Sequence, residues 1–390
     1  MAMTLIALEE HLIPADLVDQ LWPLPSDPRG VLPKLTEVGE QRLRVMDDAG
    51  IDLQVLSVTA PGTQQVDPEY AGDLSRTLND RCAEIVAAHP DRFNALVSLP
   101  TQDPTAAVVE AKRAITELGM CGVVINGHTQ GTFLDAPEFD ELLSAIEELD
   151  VPVYLHPTYP PAQVAEVYFG GLTPKVGSAL ATAAWGWHAE TGLHVLRLAA
   201  SGVFDRHPAL QFVVGHMGEN LPFSLMRADA VLSGYNPGGP SVAETVRAHV
   251  HITISGYTTA PPLLCALQVF GADRIMFAAD YPYGDAVTHA EFLAQAPISP
   301  ADREKIAHLN APADVPSLGD RGAHRRPCLI GEEPRRDAEI ALRDRFRQFS
   351  VPGCNLGDHG AGRSRVLLSR TDGGRVARRA PAPPCHPRRP

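Results

Sequence analysis

A short apolar run near the start of the chain, residues 5–8, leads directly into Glu9, Glu10 and His11. A carboxylate removed from water costs several kcal/mol, on the order estimated for buried ions, unless something of opposite charge offsets it. Three other apolar runs end in the same way: VYLH closes on His156, VVGHMGE carries His216 with Glu219 beyond it, and MFAAD closes on Asp280. Side chains alternate along a strand, so Glu9 and His11 share one face and Glu10 takes the other. A divalent cation facing that pair offsets the burial, and His156 and Asp280 complete a mixed set of nitrogen and oxygen ligands. Such a set, with a position left for water or substrate, describes a catalytic site. The six cysteines are scattered without a CxxC pair, so neither a disulfide framework nor a thiolate zinc site is suggested. Glu219 has a second reading, a carboxylate at the N-terminus of the helix LPFSLMRADAVL. His128, His188, His194, His249 and His251 read as ordinary core or surface histidines, with His128 and His188 placed so that they could face a substrate.

The elements that must carry these residues repeat. Eight short runs rich in Val, Ile and Leu occur at 5–8, 53–58, 93–99, 121–125, 151–155, 211–214, 250–254 and 274–277. They are continuously apolar rather than alternating, as parallel strands covered on both faces are. Helical segments lie between them, and Asp103-Pro104 and Ser299-Pro300 supply an N-cap and a first-turn proline for two of these. Strand then helix, eight times over about 300 residues, predicts an α/β fold of the (β/α)8 TIM-barrel kind. The alternative, a doubly wound open sheet, lacks a GxGxxG after the first strand.

Composition divides the chain in two. Residues 312–390 hold 16 Arg, no Lys and 9 Asp+Glu, a balance of +7; with the whole chain at −14, residues 1–311 carry −21. An acidic body repels phosphates, so no nucleic-acid partner is expected. With no run long enough to cross a bilayer and no leader-like N-terminus, no membrane partner is expected either, and the expected location is cytoplasmic. The expected domains are a barrel over 1–311 and an irregular Arg/Pro/Gly-rich tail over 312–390, with one helix around 337–349. The tail reads as a segment of low order or a non-native C-terminus, such as a frameshift in a GC-rich gene yields. A basic arm is the rival reading.

The segments ALEEH, YLHP, SGVFDRHP, GHMGENLPF and ADYPY, in that order, resemble the metal-dependent decarboxylase branch of the amidohydrolase superfamily. The likeness is to γ-resorcylate and 2,3-dihydroxybenzoate decarboxylases and, more distantly, to aminocarboxymuconate semialdehyde decarboxylase. Glu9-x-His11 replaces the HxH of the hydrolase branches, which moves the expected reaction from hydrolysis to carbon–carbon cleavage. The resemblance implies Glu9, His11, His156 and Asp280 as ligands to one Zn2+ or Mn2+ and His216 with Glu219 as a catalytic pair. It further implies substrate-facing roles for Asn126 and Arg227, an aromatic carboxylic acid as substrate, and a homodimer or homotetramer. Asp280 would protonate the ring carbon that bears the carboxylate before CO2 leaves, a reaction reversible in principle. A metal-dependent lactone or amide hydrolase and a catalytically silent barrel are the alternatives. Two segments depart from the pattern. PADVPSLGD stands where a short apolar closing helix is expected, and residues 159–187, where a substrate-covering loop belongs, match little.

Overall fold

A computed structural model describes residues 3–22, 27, 30–235 and 239–311. The expected tail over 312–390, with its helix around 337–349, lies outside the described residues. Among the described residues nine strands form: β1 (Ile6–Leu12), β2 (Leu53–Val58), β3 (Phe93–Ala95), β4 (Val97–Ser98), β5 (Val123–Asn126), β6 (Val153–His156), β7 (Phe212–Val214), β8 (Val250–Thr253) and β9 (Ile275–Met276). Each coincides with one of the eight apolar runs. β3 and β4 are the two halves of the third run, and between them Leu96 N–H still donates to Leu56 O (2.8 Å) while Val97 N–H has turned to Gly122 O (2.8 Å).

All pairings between these strands are parallel, in the order β1-β2-β3 and β4-β5-β6-β7-β8-β9. The cylinder closes where β1 meets the last run: Leu8 N–H donates to Phe277 O (3.2 Å) and His11 N–H to Tyr281 O (2.7 Å). Helices on the outside connect successive strands, which is why strands buried on both faces read as unbroken apolar runs. Inside, Leu8, Val55, Leu96, Cys121, Tyr154, Val213 and Met276 fill the lower barrel. The polar strand ends are thereby confined to the upper mouth.

One irregularity shapes that mouth. β1 pairs with β2 as Ala7↔Gln54 and then Glu10↔Leu56, so β1 holds one extra residue across Leu8–Glu9. A bulge of this kind bends the strand and re-aims its side chains. Glu9 and His11 still face the interior together, and Glu10 is fully buried beside them.

The expected helix starts are in place. Asp103 accepts from Ala106 N–H at 3.0 Å at the head of Pro104–Thr116. Ser299 accepts from Asp302 N–H at 3.0 Å before Pro300–Glu304, which continues into a π-helical turn, Lys305–Leu309. Replacing Asp103 with Ala should lower unfolding free energy by about 1 kcal/mol, the usual worth of an N-cap. Denaturant titration checks this, with the metal affinity of the mouth unchanged.

Candidate metal centre and active site

Five side chains from four strand ends converge in the barrel mouth. Glu9 Oε2 is held by the hydroxyls of Ser255 and of Thr253, the latter at 3.1 Å. Its Oε1 is buried without a hydrogen-bond partner and stands 3.6 Å from His156 Nε2 and 3.7 Å from His216 Nε2. His11 Nε2, also buried and lacking a hydrogen bond, approaches Asp280 Oδ1 at 3.2 Å, while its Nδ1 meets Ser57 Oγ at 3.2 Å. Asp280 Oδ2 lies 3.7 Å from His216 Nε2. Two sets of three donors, Glu9–His156–His216 and Glu9–His11–Asp280, each lie within 4.8 Å of one another and share Glu9.

Orphaned buried atoms aimed at a common point are what a cation would satisfy. The tautomers agree. His156 Nδ1 lies 2.8 Å from the carbonyl of Pro157, which can only accept, so the ring proton sits on Nδ1 and the Nε2 lone pair faces Glu9. Burial, reinforced by the neighbouring His11 and His216, holds the His156 pKa well below the usual histidine range, so this ring stays neutral and ligand-competent. Two imidazoles and two carboxylates suit Zn2+ or Mn2+. The residues present therefore fit a divalent ion.

Behind the donors, His216 Nδ1 contacts Glu219 Oε1 at 2.6 Å and His188 Nδ1 contacts Glu219 Oε2 at 2.5 Å. Burial works to raise the Glu219 pKa, but His216 and His188 beside it draw it below the ordinary carboxylate value. Burial also opposes a charged His216, yet Glu9 and Glu219 raise its pKa well above the usual range in the metal-free cluster. Asp280 behaves like Glu219: burial pushes its pKa up, and the His11 and His216 rings beside it pull it down further than that. The helix-terminus reading of Glu219 is not what the geometry shows. Both of its oxygens are taken by imidazoles, and the helix Leu221–Leu232 has no side-chain cap.

The loop presenting His216 and Glu219 is strained. His216, Met217, Gly218, Glu219 and Asn220 all have φ between +48° and +79°. Left-handed backbone costs an L residue about 1–2 kcal/mol, so a run of five such residues, four of them non-glycine, persists only where surrounding contacts hold it. His216 N–H donates to Ser255 Oγ (2.8 Å), the same serine that steadies Glu9.

Asn126 ends β5 beside His156 in register, with its backbone N–H on Gln64 Oε1 (3.2 Å) and its Oδ1 buried and unpartnered at the rim. Arg227 is not brought to this cluster. The helix Leu221–Leu232 buries Leu221, Pro222 and Leu225, and the 100° step per residue leaves Arg227 on the outer side. His188, read from sequence as ordinary, is part of the relay. Its only sequence signal was a place within the first turn of a helix after an unmatched loop. Ser57, Thr253 and Ser255 carry no distinctive signal beyond standing at strand ends. The other histidines are structural: His194 Nε2 accepts from Leu134 N–H (2.9 Å), His249 Nδ1 meets Leu210 O (2.9 Å), and His251 meets Arg274 (2.8 Å). His128 Nδ1 accepts from Gly131 N–H at 2.8 Å.

Residues 159–187 form two short helices, Ala162–Phe169 and Pro174–Ala181, around an apolar cavity of ≈ 360 Å³. Trp187 then sets its ring 6.2 Å from both Tyr159 and His156, walling one side of the mouth.

Residues 11–313 match the amidohydrolase family. The chain belongs to that family. It is 36% identical over 323 residues to the γ-resorcylate decarboxylase of Rhizobium radiobacter, covering 78% of this chain and 96% of that one. Among solved structures it resembles a 2,6-dihydroxybenzoate decarboxylase complexed with 2,6-dihydroxybenzoate, with a TM-score of 0.72 and 36% identity over 78% of this chain and 97% of that one. It also resembles a dihydroxybenzoic acid decarboxylase from Polaromonas with bound manganese and 2-nitroresorcinol, with a TM-score of 0.72 and 33% identity over 78% and 95% of the two chains. Among the described residues no helix of this family member is long and apolar enough to cross a membrane.

The close packing of Gly215 against Glu9 gives a test. A Cβ on Gly215 would stand 2.6 Å from Glu9 Oε1 and 2.7 Å from Oε2. Gly215→Ala should therefore displace Glu9 and weaken Mn2+ binding by about tenfold or more, the scale seen when a ligand's support is lost. Isothermal titration of metal-stripped protein reads the change.

Proposed function

We propose that the chain is a metal-dependent, non-oxidative decarboxylase of an ortho-hydroxybenzoate-type aromatic acid, with one divalent ion held by Glu9, His11, His156 and Asp280. The observation that carries this reading is the meeting of those donors, with Glu9 Oε1 and His11 Nε2 lacking hydrogen bonds, in a mouth backed by the His216–Glu219–His188 relay. The manganese of the Polaromonas relative favours Mn2+ over Zn2+.

When bound, the ion would supply positive charge that helps to orient the substrate and to steady negative charge developing on its oxygens. The chain's own residues handle the proton. Asp280 is the most open of the four donors, 14% exposed against 1% for His11, which supports a contact with the ring. His216 Nε2 faces Asp280 Oδ2, with Glu219 fixing the far side of the imidazole. A proton held between His216 and Asp280 passes from Asp280 to the ring carbon bearing the carboxylate, forming a C–H bond. The C–C bond then breaks, CO2 leaves, and its electron pair restores the aromatic ring. Direct loss of CO2 would leave an aryl anion, so protonation first is the easier course. Asn126 Oδ1 offers an acceptor for a ring hydroxyl at the rim.

The activity is assigned to residues 1–311, and the family match stops at residue 313. A homodimer or homotetramer is the assembly assigned here. The helix Leu221–Leu232 exposes Phe223 (90%) and Met226, with Arg227 and Val231 on the same outer side, a face that a second copy would cover.

Metal-stripped protein reconstituted with Mn2+ should release CO2 from at least one of 2,6-dihydroxy-, 2,3-dihydroxy- and 2-hydroxybenzoate, and chelation should abolish it. Asp280→Asn should lower kcat by about a hundredfold or more, the scale of a lost proton donor. Ring opening or amide cleavage without CO2 would replace this reading with a hydrolase. Phe223→Glu should shift the mass measured by light scattering towards the monomer. No shift removes this face from the assembly.

A further inference from the structure

We infer that Glu10, the carboxylate that the metal reading leaves aside, is a positioning residue: it ties the backbone next to Asp280 to the strand that carries His11, and so sets the separation of two metal donors. The inference rests on the metal site proposed above.

Glu10 is fully buried, and its Oε1 accepts the N–H of Ala279, the residue before Asp280, at 2.8 Å. The reason a side chain is needed there lies in the ladder. β9 stops at Met276, and the bulge in β1 puts β1 and the last run out of step. Leu8 N–H reaches Phe277 O, the next backbone bond is His11 N–H to Tyr281 O, and Ala279 N–H between them takes a carboxylate in place of a strand carbonyl.

Asp280 is consequently held from both sides. Its φ of +58° is a conformation that favours glycine, and it is kept by Glu10 on Ala279, by His11 N–H on Tyr281 O, and by Gly284 N–H on the carbonyl of Asp280 itself (2.7 Å). A second buried group completes the clamp. Arg42, also fully buried, donates from Nη2 to the carbonyl of His11 at 2.5 Å and sets its guanidinium over the Tyr281 ring, 4.9 Å from the centroid. Glu10 and Arg42 thus grip the two backbones that present Asp280 and His11, while neither touches the metal donors' ligating atoms.

The test compares Mn2+ affinity, read by electron paramagnetic resonance of free Mn2+, with the melting temperature of the metal-free protein. Glu10→Leu removes the acceptor and should weaken Mn2+ binding by about tenfold or more, as loss of a ligand's support does. Glu10→Gln should bind nearly as the parent does. Its oxygen still accepts from Ala279, and its new amide can meet the flipped amide of Gln54, whose Oε1 is buried and unpartnered. A folded Glu10→Leu protein with parental Mn2+ affinity overturns the inference, and so does a Glu10→Gln protein as impaired as Glu10→Leu. If Glu10→Leu does not fold, Arg42→Met, which replaces a buried cation by an apolar chain of similar length, supplies the second measurement. It should also weaken Mn2+, and unchanged affinity in the folded variant rejects the clamp. Failure of the parent protein itself to bind Mn2+ defeats the metal site, and the inference falls with it.

Discussion

The mouth is organised around one buried carboxylate that is only half satisfied. Glu9 has no exposure to solvent, and two hydroxyls hold one of its oxygens while the other faces imidazoles at 3.6 and 3.7 Å. Stripping a carboxylate of water costs several kcal/mol even after relaxation. The fold bears that cost by gathering histidines from β6 and from the loop after β7, and it shapes backbone to bring them there. The same constraint explains Gly215, since any side chain at that position would occupy the space of the Glu9 carboxyl.

The left-handed run from His216 to Asn220 follows from that demand. An ordinary strand-to-helix turn would carry His216 and Glu219 away from each other. Successive positive φ values instead fold the segment back, so that Glu219 Oε1 meets His216 Nδ1 three residues away and Oε2 remains for His188. Asp280, beyond the last strand, also has positive φ and shows the same economy. Strain is concentrated where side chains must converge, and the unstrained lower barrel, packed with Leu, Val and Tyr154, supplies the stability that holds it.

Much of this was legible in the sequence because it depends on local pattern. The eight apolar runs locate every strand among the described residues, and alternation puts Glu9 and His11 on a common face. What escaped depends on relations between distant elements. The extra residue in β1 cannot be read from ALEEH alone, because a bulge is defined by the register of its partner strand. His188 lies outside any strand end, and only the packing of Gly186–Ala200 against Glu219 reveals its contact. Arg227 was carried over by likeness to the family, whereas helical phase turns it outward on its own chain. Glu10 was visible as a residue that needed a partner, but its partner, a backbone N–H 269 positions away, is supplied by closure of the barrel.

That closure ties chemistry to the order of synthesis. Glu9 and His11 are made with the first strand of the barrel, and Asp280 follows the last, so the two halves of the proposed donor set belong to the oldest and the youngest strands of the nascent barrel. A chain arrested before the eighth strand holds histidines and a carboxylate but not the donor set, and it lacks the seam that Glu10 and Arg42 fasten. The proposed set of four donors is therefore complete only in a finished cylinder, although Glu9, His156 and His216 already stand together without Asp280.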